Sequence, residues 1–120
     1  MNDPRRYLPL SAQQFQILLA LTDTHRHGYG IILDIEDRTA GAVRIGTGTL
    51  YTAIAGLLTD DLIAEARSRA DEDPRRKYYR LTPLGRTVLQ AEASRLDALV
   101  RDARRKGIHA TPRPALTRTK

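Results

Sequence analysis

The chain has 120 residues, enough for one domain with a real core but not for two. It has no cysteine, which removes disulfides and cysteine-ligated metals and weakly favours a reducing, intracellular setting. The formal net charge is +6, which suggests a polyanionic partner such as nucleic acid or an acidic membrane surface.

The start, Met1-Asn2-Asp3-Pro4-Arg5-Arg6, leads into no long apolar run, so no secretory signal is expected. No stretch approaches the roughly 18 apolar residues that cross a bilayer, so no membrane partner is expected and the chain reads as cytoplasmic. Half of the +6 excess sits in residues 107–120, where Arg113, Arg118 and Lys120 stand without an acid. A soluble protein with a basic tail would account for the charge as well as a nucleic-acid binder.

Ser11 followed by Gln14 is a capping box. Phe15, Leu18, Leu19 and Thr22 follow at helical spacing, with Ile17 and Leu21 widening the buried face. This first helix is expected to end between Thr24 and His27, before Gly28. A second helix is expected from Tyr29 to Arg38, burying Ile31, Ile32 and Ile35 and turning Asp34, Glu36 and Asp37 outward. Thr39-Ala40-Gly41 ends it. A third helix starts at Gly46 or Thr47; Leu50, Ile54, Leu57 and Leu58 give it the cleanest helical period in the chain.

Beyond Asp60-Asp61 the pattern changes. Leu62 to Arg69 is expected to be a strand, Ala70-Asp71-Glu72-Asp73-Pro74 a turn, and Lys77 to Leu81 the returning strand. Of Tyr78 and Tyr79, which alternate in side, one is expected in the core and one in solvent. Thr82 and Pro83 then supply an N-cap and first position for a helix running to about Lys106, before Gly107. Leu89, Leu96 and Ala103 recur every seven residues along it, joined by Leu99 and Val100. A stripe that long belongs either to a dimer seam or to a helix folded back on its own domain; the helix length favours the seam. Glu92 interrupts it and could pair with an arginine across it. Residues 107–120, with Pro112 and Pro114, read as a disordered basic tail.

Helix, helix, helix, hairpin, long helix is the order of a winged helix-turn-helix: mainly α with a small β-hairpin. The expected division is residues 1–82 for that module, 83–106 for a C-terminal dimerisation helix and 107–120 for the tail. Such a module offers one face of its third helix to the DNA major groove and its wing to phosphates. The candidate reading residues are Thr47, Thr49 and Thr52, unless they are a cap and ordinary surface threonines. The candidate phosphate contacts are Arg67, Arg69, Arg75, Arg76 and Lys77, unless the wing is a solvated loop neutralised by Asp71, Glu72 and Asp73. Its acidic turn would have to point away from phosphate.

His27-Gly28-Tyr29-Gly30-Ile31, Gly48-Thr49-Leu50-Tyr51, Leu62-Ile63 and Arg76-Lys77-Tyr78-Tyr79-Arg80-Leu81-Thr82-Pro83-Leu84-Gly85 resemble the PadR-like family of bacterial regulators over residues 8–106. The resemblance implies a homodimer held by the C-terminal helix at Leu89, Leu96, Leu99, Val100 and Ala103. It implies double-stranded DNA with a two-fold operator as partner, and release by a ligand or stress signal, hence a small-molecule effector. Tyr51 resembles a family tyrosine that meets the DNA backbone, though a half-buried aromatic on the second helix fits the same position. The chain departs from the pattern twice. Asp61 stands where a glycine is usual, and Asp tolerates the left-handed conformation. No Lys or Arg occurs from Ile45 through Glu65, so the third helix lacks the commonest specific base contact.

His25 and His27 have only Asp23 as a nearby third donor, too few for a metal site. Gly28-Tyr29-Gly30 and Gly46-Thr47-Gly48 lack the Lys-Ser/Thr of a phosphate loop. No nucleophile, base and carboxylate set suggests an enzyme, and no cofactor is expected. Two other functions fit the same fold: a protein-interaction or RNA-binding module, and a ligand-binding dimer with weak DNA contact. The second would need Tyr7, Phe15 or other tyrosines for stacking, since the chain has no Trp and one Phe.

Overall fold

A computed structural model describes residues 3–111. A single 3-10 turn, Pro4–Tyr7, precedes α1, Ala12–Ala20. Ser11 caps α1 through the expected box: its hydroxyl accepts the Gln14 N–H at 3.0 Å, and the Gln14 side chain accepts the Ser11 N–H at 2.9 Å. Strand β1, Arg26–His27, leads into α2, Gly28–Arg38, and then α3, Thr47–Thr59. Strands β2, Ile63–Ala66, and β3, Tyr78–Leu81, form the wing, and α4, Pro83–Arg105, completes the described chain.

The helix ends follow from local chemistry. After α3, Asp61 takes φ +60°, and the N–H groups of Asp61 and Leu62 return to the carbonyls of Leu58 and Leu57. That is a left-handed cap made without glycine. After α2, Ala40 does the same at φ +53°, with Gly41 following at φ +82°. Gly107, at φ +86°, closes α4 with the same pair of bonds. Thr82 caps α4 by accepting the Gly85 N–H at 2.9 Å, while its hydroxyl donates to the Asp61 carbonyl at 2.6 Å. One side chain therefore ties the start of α4 to the end of α3. Gly85 itself rests on the backbone of Leu62, where a β-carbon would overlap the carbonyl oxygen.

The core gathers Ile17 and Leu18 of α1, Ile31 and Ile35 of α2, Leu50, Ile54 and Leu57 of α3, Leu62 and Ile63 at β2, Tyr79 of β3 and Val88 and Leu89 of α4. The start of α4 thus belongs to the same core as the three small helices.

Several expectations need correction. The segment expected to finish the first helix is partly strand: β1 pairs antiparallel with β3, giving a sheet ordered β1-β3-β2. The paired part of the wing is shorter than expected, with Ile63 opposite Leu81 and Ala66 opposite Tyr78. Both tyrosines of β3 are buried, each 4% exposed. Tyr79 faces the core, while Tyr78 is covered by the His25 and His27 rings, edge-on with centroids 5.5 Å away. The third strand pairs along the free edge of β3, and it brings the two histidine rings over the face that a lone hairpin would leave open. Asp34 is turned toward Arg26 and Arg38, at 3.4 and 2.7 Å, rather than outward. Glu92 is 2% exposed and pairs within its own helix with Arg95. Of the basic tail, residues 112–120 lie outside the described residues.

Candidate nucleic-acid interface

Burial splits α3 cleanly. Leu50, Ile54 and Leu57 face inward, and Thr47, Gly48, Thr49, Tyr51, Thr52, Ala55, Gly56 and Thr59 are exposed. Thr59 bonds back to the Ala55 carbonyl at 3.0 Å. The hydroxyls of Thr47, Thr49 and Thr52 bond no group among the described residues, so they remain available to a partner. Thr49 and Thr52, with Gly48, Ala53 and Gly56, line an open groove of about 620 Å³ whose other wall is the start of α1: Ser11, Gln13 and Gln14. Sequence reasoning did not include α1 in this surface. The signal was present in the cap, since an N-cap places Ser11 and its neighbours at an exposed helix end.

A second, smaller hollow of about 160 Å³ joins α3 to the wing. Tyr51, Arg76 and Lys77 line it together with His27, Gly28 and Tyr29 at the start of α2. Tyr51 is half exposed, and its ring end lies over Gly28, where a β-carbon would overlap the hydroxyl. The packing alternative for Tyr51 is the one seen: the ring end rests on the start of α2 while about half of the residue stays exposed beside the wing cations. At the first glycine of the His27-Gly28-Tyr29-Gly30 segment the space of a side chain is taken by the end of the Tyr51 ring, so any larger residue there would displace that ring.

Two of the three acids of the wing turn, Glu72 and Asp73, are engaged, while Asp71 is exposed. Glu72 accepts the Arg69 backbone N–H at 2.6 Å and meets His25 Nε2 at 2.8 Å. Those bonds, the backbone one first, hold its carboxyl below the usual range. Asp73 pairs with the Arg75 guanidinium at 3.1 Å and accepts its backbone N–H at 2.9 Å, and those bonds, the side-chain one first, lower its carboxyl too. Lys77 is 3.7 Å from Glu65 across the hairpin. Arg69 donates to the Thr24 hydroxyl at 3.1 Å, and Arg76 lies 2.6 Å from His27 Nε2. Arg67, Arg69 and Arg76 are exposed and have no carboxylate within ion-pair distance among the described residues. Of the expected phosphate contacts, Arg76 and Lys77 sit beside Tyr51, whereas Arg67, Arg69 and Arg75 do not share that hollow.

His27 serves as the N-cap of α2, its Nδ1 accepting the Gly30 N–H at 3.0 Å. Burial first, and then the Arg76 charge, push its imidazole pKa down. Both histidines thus have structural partners at the root of the wing.

Along α4 the expected seam divides. Leu89 is 6% exposed and belongs to the core of its own chain, so it is taken out of the exposed stripe. Leu96, Leu99 and Val100 are exposed, Leu99 to 55%, and Ala103 is half-buried. Ile108, past the helix end, extends the apolar surface at 65%. Among the described residues no helix is long and apolar enough to cross a membrane.

Three small helices with a three-stranded wing and a long final helix define a winged helix-turn-helix protein of the transcription-regulator class. Residues 17–91 match the transcriptional regulator PadR-like family, and the chain belongs to it. That is a family of regulators, not of enzymes. The chain is similar to an uncharacterized protein X of Lysinibacillus sphaericus, 33% identical over 73 residues, which span 61% of this chain and 67% of that one. Its fold is similar to a transcriptional regulator from Clostridium thermocellum, with TM-score 0.66 and 26% identity over 87% of this chain and 97% of the other. It is also similar in fold to a PadR family transcription regulator from Clostridium difficile, with TM-score 0.67 and 22% identity over 82% and 100%.

Proposed function

We propose that the protein is a cytoplasmic homodimeric repressor that binds an inverted-repeat operator in double-stranded DNA. Each protomer places one α3 in a major groove, and a small ligand or stress signal releases the complex. The observation that carries this is the joining of α3 to the wing: Tyr51, Arg76 and Lys77 converge beside a helix face with three unengaged threonine hydroxyls. Phosphate contacts from the wing fix the register, and α3 then meets base edges. The exposed Leu96, Leu99 and Val100 support pairing of α4 with its copy, because a monomer rarely leaves such a stripe in water. Two-fold pairing requires two half-sites about 34 Å apart, or a multiple of that.

Genome-wide recovery of bound DNA tests the proposal. The expected result is an enriched inverted repeat, with transcription of the adjacent gene rising when the regulator is deleted. Recovery of no enriched sequence overturns it. One observation favours a second function, an RNA-binding or protein-interaction module: no Lys or Arg occurs between Ile45 and Glu65. Specific enrichment of RNA or a protein partner in place of DNA would establish that alternative.

A further inference from the structure

Two glycines of α3 have no steric reason among the described residues. Gly48 and Gly56 lie in helical backbone without positive φ, and a β-carbon on either would meet no atom within 4 Å. Gly28 and Gly85 are different, because Tyr51 and the Leu62 carbonyl fill their side-chain space. Gly46 is different too, because it is the N-cap, where glycine is an ordinary choice. Glycine weakens a helix relative to alanine, most in the helix body, where Gly56 sits, and less in the first turn, where Gly48 sits. No contact among the described residues accounts for the missing side chains, which leaves a partner outside the chain as the reason to look for.

The residues around them specify what that is. From Thr47 to Thr59 α3 carries no charged side chain and no amide side chain. Arginine or lysine would read guanine, asparagine or glutamine adenine, and a carboxylate cytosine; none is available here. Besides Tyr51, whose hydroxyl end lies over Gly28, what remains on the exposed face is threonine hydroxyls, threonine methyls and Ala55. The threonine hydroxyls can bond to more than one base and so carry little preference; the preference these groups impose is apolar contact with the thymine methyl. They are short, so they reach a base edge only if the helix backbone comes close to the DNA.

We infer that Gly48 and Gly56 are the points of closest approach between α3 and DNA, and that the edge read there is rich in thymine, contacted methyl to methyl by Thr49, Thr52 and Ala55. The inference rests on α3 entering the major groove, as proposed above. The groove against Ser11 and Gln13 is the concavity that the small side chains of Gly48, Ala53 and Gly56 leave open for the partner.

Selection from a random pool of 30-base-pair duplexes by the purified full chain supplies the probe. The selected half-sites should be A·T-rich. Replacing their thymines by deoxyuridine removes only the methyl groups and should weaken binding about three- to tenfold per contacted base. Gly56→Ala should raise the melting temperature by about 2–6 °C while weakening the selected duplex about tenfold. Gly48→Ala should weaken the duplex similarly with a smaller thermal gain. Enrichment of a G·C-rich half-site, indifference to deoxyuridine, unchanged affinity of Gly56→Ala, or a lower melting temperature in that variant would each overturn the inference and leave DNA binding standing. Failure of the pool to enrich any sequence would instead remove the operator reading, and the inference with it.

Discussion

Glu92 of α4 accepts the backbone N–H of Leu10 at 3.1 Å, so a carboxylate on the long helix holds the segment that leads into α1. Arg95 completes the contact with two bonds, at 2.6 and 2.9 Å. Those bonds, first among the causes, keep the Glu92 carboxyl below the ordinary range. Glu92→Ala leaves the Leu10 N–H unsatisfied in a buried place, and a loss of about 1–3 kcal/mol is expected. Glu92→Gln retains an acceptor and should lose less. Urea denaturation at pH 7 measures both. Because the folded carboxyl is lowered, the contribution is complete above the ordinary carboxylate range and disappears as pH falls through the lowered value. Equal stability of the parent and Glu92→Ala at pH 7 would contradict this account.

The apolar residues left exposed on α4 are expected to govern assembly. Leu99→Glu combined with Val100→Glu places charge on the outer part of the stripe while sparing Leu89 and the core. Sedimentation of the parent at micromolar concentration should give twice the 13.5 kDa chain mass, and the double variant should run as a folded monomer. A parent that already sediments at 13.5 kDa would remove the dimer and the two-fold operator together.

Much of this architecture was legible in the residues. The Ser11–Gln14 box, the Leu50-Ile54-Leu57 period and the Thr82-Pro83 cap each follow from local rules, and the helix starts fall where those rules put them, whereas α1 ends at Ala20, short of the expected Thr24 to His27. Strand β1 was not legible, because two residues show no alternation and Arg26 and His27 carry no strand signature. The burial of Tyr78 depended on β1 and was hidden with it. Glu92 and Leu89 looked like part of a seam because periodicity reports a face of the helix, not what covers it. Leu10, 82 positions away, is what covers Glu92. At the interface, Tyr51 and the wing cations were identifiable singly, but the hollow that joins them needs Gly28, whose role appears only once the ring is placed over it.

His27 makes the root of the wing sensitive to pH. Its folded pKa lies below the ordinary imidazole value of about 6.5. The neutral ring accepts the Gly30 N–H, and Arg76 opposes a positive charge there while Glu72 partly offsets it. A lowered imidazole pKa contributes stability that is complete above the unfolded value and is lost as pH falls through the folded one. Acidification from pH 7.5 to 5 should therefore destabilise the parent more than His27→Asn, which can still cap α2 but does not titrate. Thermal melts of both proteins across that range decide it; identical pH slopes would show that the imidazole is not responsible.

The wing cations should act through charge alone. Replacing Arg75, Arg76 and Lys77 together by alanine should weaken all DNA sequences by a similar factor. It should also flatten the dependence of log affinity on log salt by up to about three units if all three meet phosphate. The pairing of Arg75 with Asp73 and the reach of Lys77 to Glu65 predict a smaller change, with Arg76 contributing most. Titrations of the parent and triple variant at several salt concentrations measure the slope, and an unchanged slope would place the wing away from the backbone.

The sharpest separation lies between Tyr51 and its threonine neighbours. Tyr51 packs its ring on Gly28 and presents its hydroxyl beside Arg76 and Lys77, the surroundings of a phosphate contact. Tyr51→Phe keeps the packing and removes the hydroxyl, so it should weaken selected and unrelated duplexes alike with little change in melting temperature. Thr49 and Thr52 have free hydroxyls and methyls on the groove side of α3. Thr49→Ala and Thr52→Ala should therefore change the ranking among duplexes that differ at single base pairs, each costing on the order of 1 kcal/mol at the selected site, or about fivefold in affinity. Uniform weakening by the threonine variants would make them backbone contacts. No effect on any sequence would mean that α3 is not the reading element, and the protein-interaction or RNA-binding function would then take precedence.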